Sequence, residues 1–389
     1  MTMAIPVVYS LRSIAVRKGS SAMAVGGIAL VVVVLVTLLA LAAGFRRVVE
    51  TSGSPRNVIV LRKGADAELQ SQILRDTARV IAELPLVAEP SGRKLVVFES
   101  VLIVARPKRG GGESNVTIRG TTPLSRAVHA DVRLAEGRWP TPGSSEAVLG
   151  AGLARRLEDV GIGRTLTIGR DTWHIVGLFT AGGSSLESEL WIDGDLLQSA
   201  FHRDGVFQSV LFRAAGDARA AAEALNALTT SDLRLRAVQA MTEPEYYAKQ
   251  AKMMSDLITI VGGMLTAIMS VGAISGAMNT MYAAVSQRKR EIGCLLAMGF
   301  TPEAIWLAFM VESLALAAVG AALGCAASMG FHGMKTGMTN WATFSETAFE
   351  FLVTPRILAT AAILALAMGF VGGVLPAFRA ARMKVVDAL

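Results

Sequence analysis

Residues 257–285 read LITIVGGMLTAIMSVGAISGAMNTMYAAV and are followed at 286–300 by SQRKREIGCLLAMGF. The first stretch carries no charge, and about 20 apolar helical residues suffice to cross a hydrocarbon core of roughly 30 Å. The second opens with Arg288, Lys289 and Arg290, places Ile292, Leu295 and Leu296 on one helical face, and reaches Gly299, a fitting C-cap before Thr301-Pro302. A basic head directly after an apolar span marks the side on which that span leaves the membrane.

Three further runs, 22–45, 304–331 and 357–378, meet the same length requirement, and Glu312 is their one charge. The first follows Arg17 and Lys18 as a signal peptide would, but its 24 uncharged residues exceed the roughly 7–15 of a signal h-region and predict an anchor. A chain that is 52% hydrophobic and 18% charged, with a mean hydropathy of +0.48, is no ordinary soluble enzyme.

Charge is distributed by region. Residues 46–256 hold 27 Lys/Arg against 25 Asp/Glu, so most of the net +7 flanks the apolar runs. No basic run with interleaved aromatics occurs, and nucleic acid is not an expected partner. Arg12, Arg17, Lys18, the 288–290 cluster, Arg379, Arg382 and Lys384 oppose only Lys335 and Arg356 in the remaining short loop. The positive-inside rule therefore places both termini and 286–303 in the cytoplasm and 46–256 outside.

Within 46–256, residues 57–61, 94–105, 206–212 and 233–238 read as strands, and 66–84 and 217–228 as amphipathic helices. Two separated strand-helix-strand units predict an α+β module interrupted by an insert at about 113–200. The insert follows a glycine-rich hairpin tip at 107–112 and contains a strand pair about the turn Gly169-Arg170-Asp171. Thr242-Glu243-Pro244-Glu245 is a capping box whose helix would run unbroken into the second span.

The expected architecture is an α-helical membrane protein: four transmembrane helices with a large α+β extracytoplasmic (periplasmic) domain between the first and second. Its parts are a cytoplasmic amphipathic helix at 1–21, spans at 22–45, 257–285, 304–331 and 357–378, the domain at 46–256, a cytoplasmic helix within 286–303, a short extracytoplasmic loop at 332–356 and a cytoplasmic tail at 379–389.

No catalytic motif is present. The dipeptide Gly-Lys, and with it the Walker A lysine, is missing, as are GxSxG, HExxH, GxGxxG and any CxxC or Cys/His cluster. The chain is expected to be a non-catalytic subunit that binds no metal or cofactor.

The segment Arg288-Lys289-Arg290-Glu291-Ile292-Gly293-Cys294-Leu295-Leu296-Ala297-Met298-Gly299 strongly resembles the cytoplasmic coupling helix of MacB/FtsX-like permeases of ABC transporters, R-x-R-E-I-G-x-L-x-A-x-G. Val311-Glu312-Ser313-Leu314 with Gly320 and Gly324, and Pro376-Ala377-Phe378-Arg379-Ala380-Ala381-Arg382 with Asp387-Ala388-Leu389, are similar to that family's third span and ending; Lys384-Val385-Val386 departs where the family has a proline. The resemblance implies a multi-pass protein of the bacterial cytoplasmic (inner) membrane, a dimer with a second permease copy or paralogue, and a separate ABC ATPase subunit that holds the ATP and magnesium. Arg288, Arg290, Glu291, Ile292, Leu295, Leu296 and Gly299 would contact that ATPase. A periplasmic adaptor or lipoprotein carrier would accompany export or extraction of a lipoprotein, lipid or hydrophobic compound. The alternative is an FtsX-like signalling subunit that activates a cell-wall hydrolase without transport.

Glu312 lies about 12 Å into its span, a depth at which a carboxylate needs a partner, and a Ser or backbone group of a neighbouring helix is the expected one. The GxxxG pairs Gly272/Gly276, Gly320/Gly324 and Gly369/Gly373 permit close helix approach and read as packing positions.

Overall fold

The computed structural model describes residues 18–339 and 346–383. Residues 1–17 of the amphipathic helix expected at 1–21, and the terminal Asp387-Ala388-Leu389, lie outside the described residues, while 18–21 already belong to the first long helix. The chain divides into a helical unit, from the described parts of 1–43, 256–334 and 351–389, and a second unit, from Gly44–Ser255 and Lys335–Glu350.

Helix α1 spans Lys18–Glu50 and is followed, after β1 (Asn57–Arg62) and β2 (Ile73–Leu74), by α2 (Arg75–Glu83). Then come β3 (Val96–Pro107), β4 (Glu113–Thr121), α3 (Ser125–Val128), β5 (Arg133–Gly137), β6 (Glu146–Gly150) and α4 (Ala151–Arg156). Next are β7 (Thr165–Ile168), β8 (Asp171–Thr180), β9 (Glu189–Asp193), α5 (Gly194–Ala200), β10 (Val206–Phe207), β11 (Ser209–Arg213), α6 (Ala218–Ser231) and β12 (Val238–Thr242). The chain continues with α7 (Glu243–Gln287), α8 (Lys289–Ala297), α9 (Pro302–Met329), β13 (Lys335–Thr339), β14 (Glu346–Glu350) and α10 (Pro355–Ala381).

By length and composition α1, α7, α9 and α10 can each cross a membrane. Two starts are set by Thr-Pro pairs: the Thr301 and Thr354 side chains accept the backbone N–H of Ala304 and Ile357, and Pro302 and Pro355 occupy the first turn, where a missing N–H costs nothing. That pulls the helix starts two residues ahead of the apolar runs. Helices pack through missing side chains: a Cβ at Gly320 would lie 3.0 Å from Ile28, and one at Gly324 would lie 2.7 Å from Val32, both on α1. Gly373 meets Ser313, and the Ser313 hydroxyl donates to the Gly369 carbonyl at 2.6 Å. Gly272 and Gly276 have nothing within 4 Å of that position.

In the second unit ten strands form one sheet, in the order β12-β1-β11-β3-β4-β9-β6-β8-β5 with β7 added to β8. One apolar core, including Val58, Ile81, Phe212 and Leu225, serves the β12-β1-β11 end; another, including Ile118, Leu149, Leu153 and Trp173, serves the far end. The long β3-β4 hairpin pairs Ser100 with Gly120 through to Pro107 with Glu113.

Three expectations need correction. Residues 66–84 are not one helix: Ile73–Leu74 pairs with Val206–Phe207, the Ser71 hydroxyl accepts the Arg62 N–H, and only then does α2 begin. The 206–212 strand breaks at Gln208, whose N–H bonds the Glu99 carbonyl while its side chain accepts from Val101. The strand expected at 233–238 starts only at Val238, because Asp232 accepts from the Arg234 N–H and guanidinium and turns the chain first. The loop at 332–356, moreover, contains the hairpin β13-β14, which packs with the second unit: Arg156 donates to the Glu346 carbonyl, and Ala348 N–H to the Ser188 hydroxyl.

Candidate functional site

The α7 helix ends as Arg288 leaves helical geometry at φ −106° and ψ 17°, and α8 begins at once. Its far end is closed by Gly299 at φ +93°, where the Gly299 N–H bonds Leu296 O and the Phe300 N–H bonds Leu295 O, both at 3.1 Å. This is the Schellman pattern, and the positive φ is why glycine stands there. The segment between the second and third long helices is thus held at a defined corner and a defined stop.

One face of α8 is buried. Ile292 is only 2% exposed and packs in a cluster with Met281, Val285, Ile305 and Phe309, with Leu296 partly buried against it. Leu295 is half-buried, whereas Lys289, Arg290, Glu291 and Gly299 are exposed. Ile292, expected at a partner surface, instead seats the helix on its own chain.

Arg288 turns inward as well. Its Nε donates to Glu291 at 2.9 Å and its Nη1 to Glu312 at 3.2 Å, and the guanidinium lies 5.4 Å from the centre of the Phe309 ring. The structure thus brings together Arg288, Glu291 and Glu312 and leaves Arg290 outside the group. Glu312 finds an arginine where a hydroxyl or backbone group was expected, because a partner 24 residues away leaves no mark in local periodicity. Gly320 and Gly324 face α1, and Gly272 and Gly276 are open.

A second polar centre, unforeseen from the sequence, lies inside the sheet unit. Buried Arg119 bonds Glu68 at 2.9 and 3.0 Å, Glu99 at 2.7 Å and Glu189 at 2.8 Å on each carboxylate oxygen. Glu99 also meets His129 Nε2 at 2.9 Å, and His129 Nδ1 lies 3.8 Å from Glu243, the first residue of α7. Glu243 in turn accepts from the Ser54 N–H and the Asn57 side chain. Burial alone would raise the Glu99 pKa, but His129 and Arg119 outweigh it and hold the carboxyl at about 2. Burial likewise opposes charge on His129, yet Glu99 and Glu243 raise its pKa, while burial pushes Glu243 up. The available signal was a charge at an inward strand position: Glu99 shares a strand face with buried Val97 and Val101.

Four helices long and apolar enough to cross a membrane bracket an α+β unit in the chain, with a short amphipathic helix before the third of them, the pattern of a membrane protein. Residues 21–229 match the MacB-like periplasmic core domain, and residues 263–385 match the FtsX-like permease C-terminal domain. The chain is 24% identical over 293 residues to the ABC transporter permease YknZ of Bacillus subtilis strain 168, an alignment covering 71% of this chain and 70% of that one. It is 26% identical over 400 aligned positions to the macrolide export ATP-binding/permease protein MacB of Rhodospirillum rubrum, covering 97% of this chain but 59% of that longer protein. The crystal structure of the periplasmic region of MacB from Actinobacillus actinomycetemcomitans overlaps 50% of this chain and 91% of its own at 13% identity and a TM-score of 0.37. The chain belongs to the MacB/FtsX-like family of ABC transporter permeases.

Proposed function

We propose that this chain is the permease subunit of a MacB-like transporter in the bacterial cytoplasmic membrane, with both termini and α8 in the cytoplasm and the sheet unit outside. It works as a dimer with a second copy or a paralogue and with a separate ATPase that carries ATP and magnesium; the chain itself contributes no catalytic group. ATP hydrolysis moves α8, and α7 passes that motion outward to drive export or extraction of a lipoprotein, lipid or hydrophobic compound, handed on to a periplasmic adaptor or carrier. The relative named for macrolide export supports transport over signalling.

The observation that carries this reading is α8: its apolar face is buried, its C-terminal end is closed by Gly299, and Arg290 and Glu291 remain on the surface. Arg and Glu suit charge-assisted bonds to a partner. Affinity purification from native membranes is expected to recover an ATPase that the permease stimulates, and Arg290→Glu to abolish that stimulation while membrane insertion persists. Full stimulation in Arg290→Glu would remove the assigned role. Recovery of a cell-wall hydrolase with no transported cargo would replace transport by signalling.

A further inference from the structure

We propose that Arg288 and Glu312 form a clasp that seats α8 on the helical unit, making Arg288 a positioning residue for coupling instead of a surface offered to the ATPase. The role in coupling rests on the function proposed above; the clasp itself does not.

Three observations converge on it. Arg288 occupies the non-helical corner between α7 and α8, and its guanidinium reaches forward to Glu291, one turn into α8, and across to Glu312 on α9. Ile292, on the next turn of α8, is buried with Ile305 and Phe309 of α9, and the ring of Phe309 also underlies the guanidinium. The turn of α9 that bears Glu312 is itself anchored, since neighbouring Ser313 donates to Gly369 on α10. A planar guanidinium can serve two carboxylates and a ring face together, which a lysine ammonium cannot. The corner, the seat and the anchor therefore meet at one side chain.

The clasp fixes where α8 sits, so its loss should unseat Ile292 without removing the exposed Arg290. The test uses the full-length permease, with Cys294→Ser and Cys325→Ser to silence both native thiols and Ile292→Cys as reporter. In the seated helix this thiol reacts slowly with a water-soluble maleimide. Glu312→Gln and Arg288→Gln should each speed the reaction about tenfold, the change expected on losing a charged hydrogen bond. The double variant should fall well short of the product of the two singles, because the Arg288–Glu312 contact is lost in each of them. Arg288→Lys should lie between.

In the assembled complex, Glu312→Gln should lower stimulation of the ATPase while the ATPase still co-purifies. An unchanged reporter rate in Glu312→Gln, or effects of the two singles that multiply in the double variant, would overturn the clasp. If the reporter responds as described but the parent permease stimulates no ATPase, the clasp stands and the transporter reading falls. Glu312→Gln is nearly isosteric and serves if Arg288→Gln fails to insert.

Discussion

The two units handle buried charge in opposite ways. The sheet unit gathers Arg119, His129, Glu68, Glu99, Glu189 and Glu243 in its interior, with Arg119 bonded to three carboxylates at once. The helical unit sets Arg288 against Glu291 and Glu312 at the α7-α8 corner, and its helices approach closely at glycines, as where Gly324 meets Val32. The lesson concerns solvent. A unit that folds in water can bring charges together and rank them by hydrogen bonding, whereas helices that fold in hydrocarbon gain little from apolar burial and rely on close backbone approach.

The contrast can be broken at its strongest point first. Arg119→Leu leaves Glu68, Glu99 and Glu189 buried without their cation and should destabilise the sheet unit by about 3–5 kcal/mol, read from thermal unfolding followed by tryptophan fluorescence. A loss under about 1 kcal/mol would mean that the carboxylates neutralise and the network contributes little to stability.

Glycine packing comes next. Gly324→Val forces atoms onto Val32 and should cost about 1–3 kcal/mol in detergent, while Gly272→Val meets open space and should leave the monomer's melting unchanged. Equal effects at the two sites would show that glycine spacing, and not the specific α1 contact, sets the cost.

The join between β12 and α7 is a smaller target. The Thr242 hydroxyl accepts from the Glu245 N–H at 3.3 Å and Glu245 accepts from the Thr242 N–H at 3.1 Å, so Thr242→Ala should lose about 1 kcal/mol. Hydrogen exchange at the first turn of α7 would detect it; unaltered exchange there would remove the box from the account.

The gentlest probe is pH. The raised pKa of His129 means that its contribution is fully present below the ordinary histidine value near 6.5 and is lost as pH rises through the raised one. Glu99, held at about 2, contributes fully above its ordinary 4.5 and loses that contribution as pH falls toward 2. The stability gap between the parent and His129→Gln should therefore narrow as pH rises from 6 toward alkaline values. A gap independent of pH would show that His129 is neutral in the folded unit.

Much of the architecture was legible because it is local. The apolar runs, the Gly299 stop, the hairpin tip between β3 and β4 and the β7-β8 turn are each written in a few consecutive residues. Residues 66–84 misled because their helical spacing competes with a two-residue pairing to Val206–Phe207, more than a hundred positions away. The candidate site was half legible. Its basic head, apolar face and cap could be read from spacing, but spacing did not tell which side chains face inward, and Ile292 and Arg288 both do.

Hydropathy and turn chemistry are properties of neighbouring residues, so the sequence alone determined the apolar spans, the α+β character of the segment between the first two, and the short helix that Gly299 closes. Tertiary structure decided the pairings: Arg288 with Glu312, Arg119 with its three glutamates, Gly320 and Gly324 with α1, and the 335–350 hairpin with the sheet unit. Ion pairs and close contacts depend on distance in space between residues far apart in the chain, and only packing sets that distance.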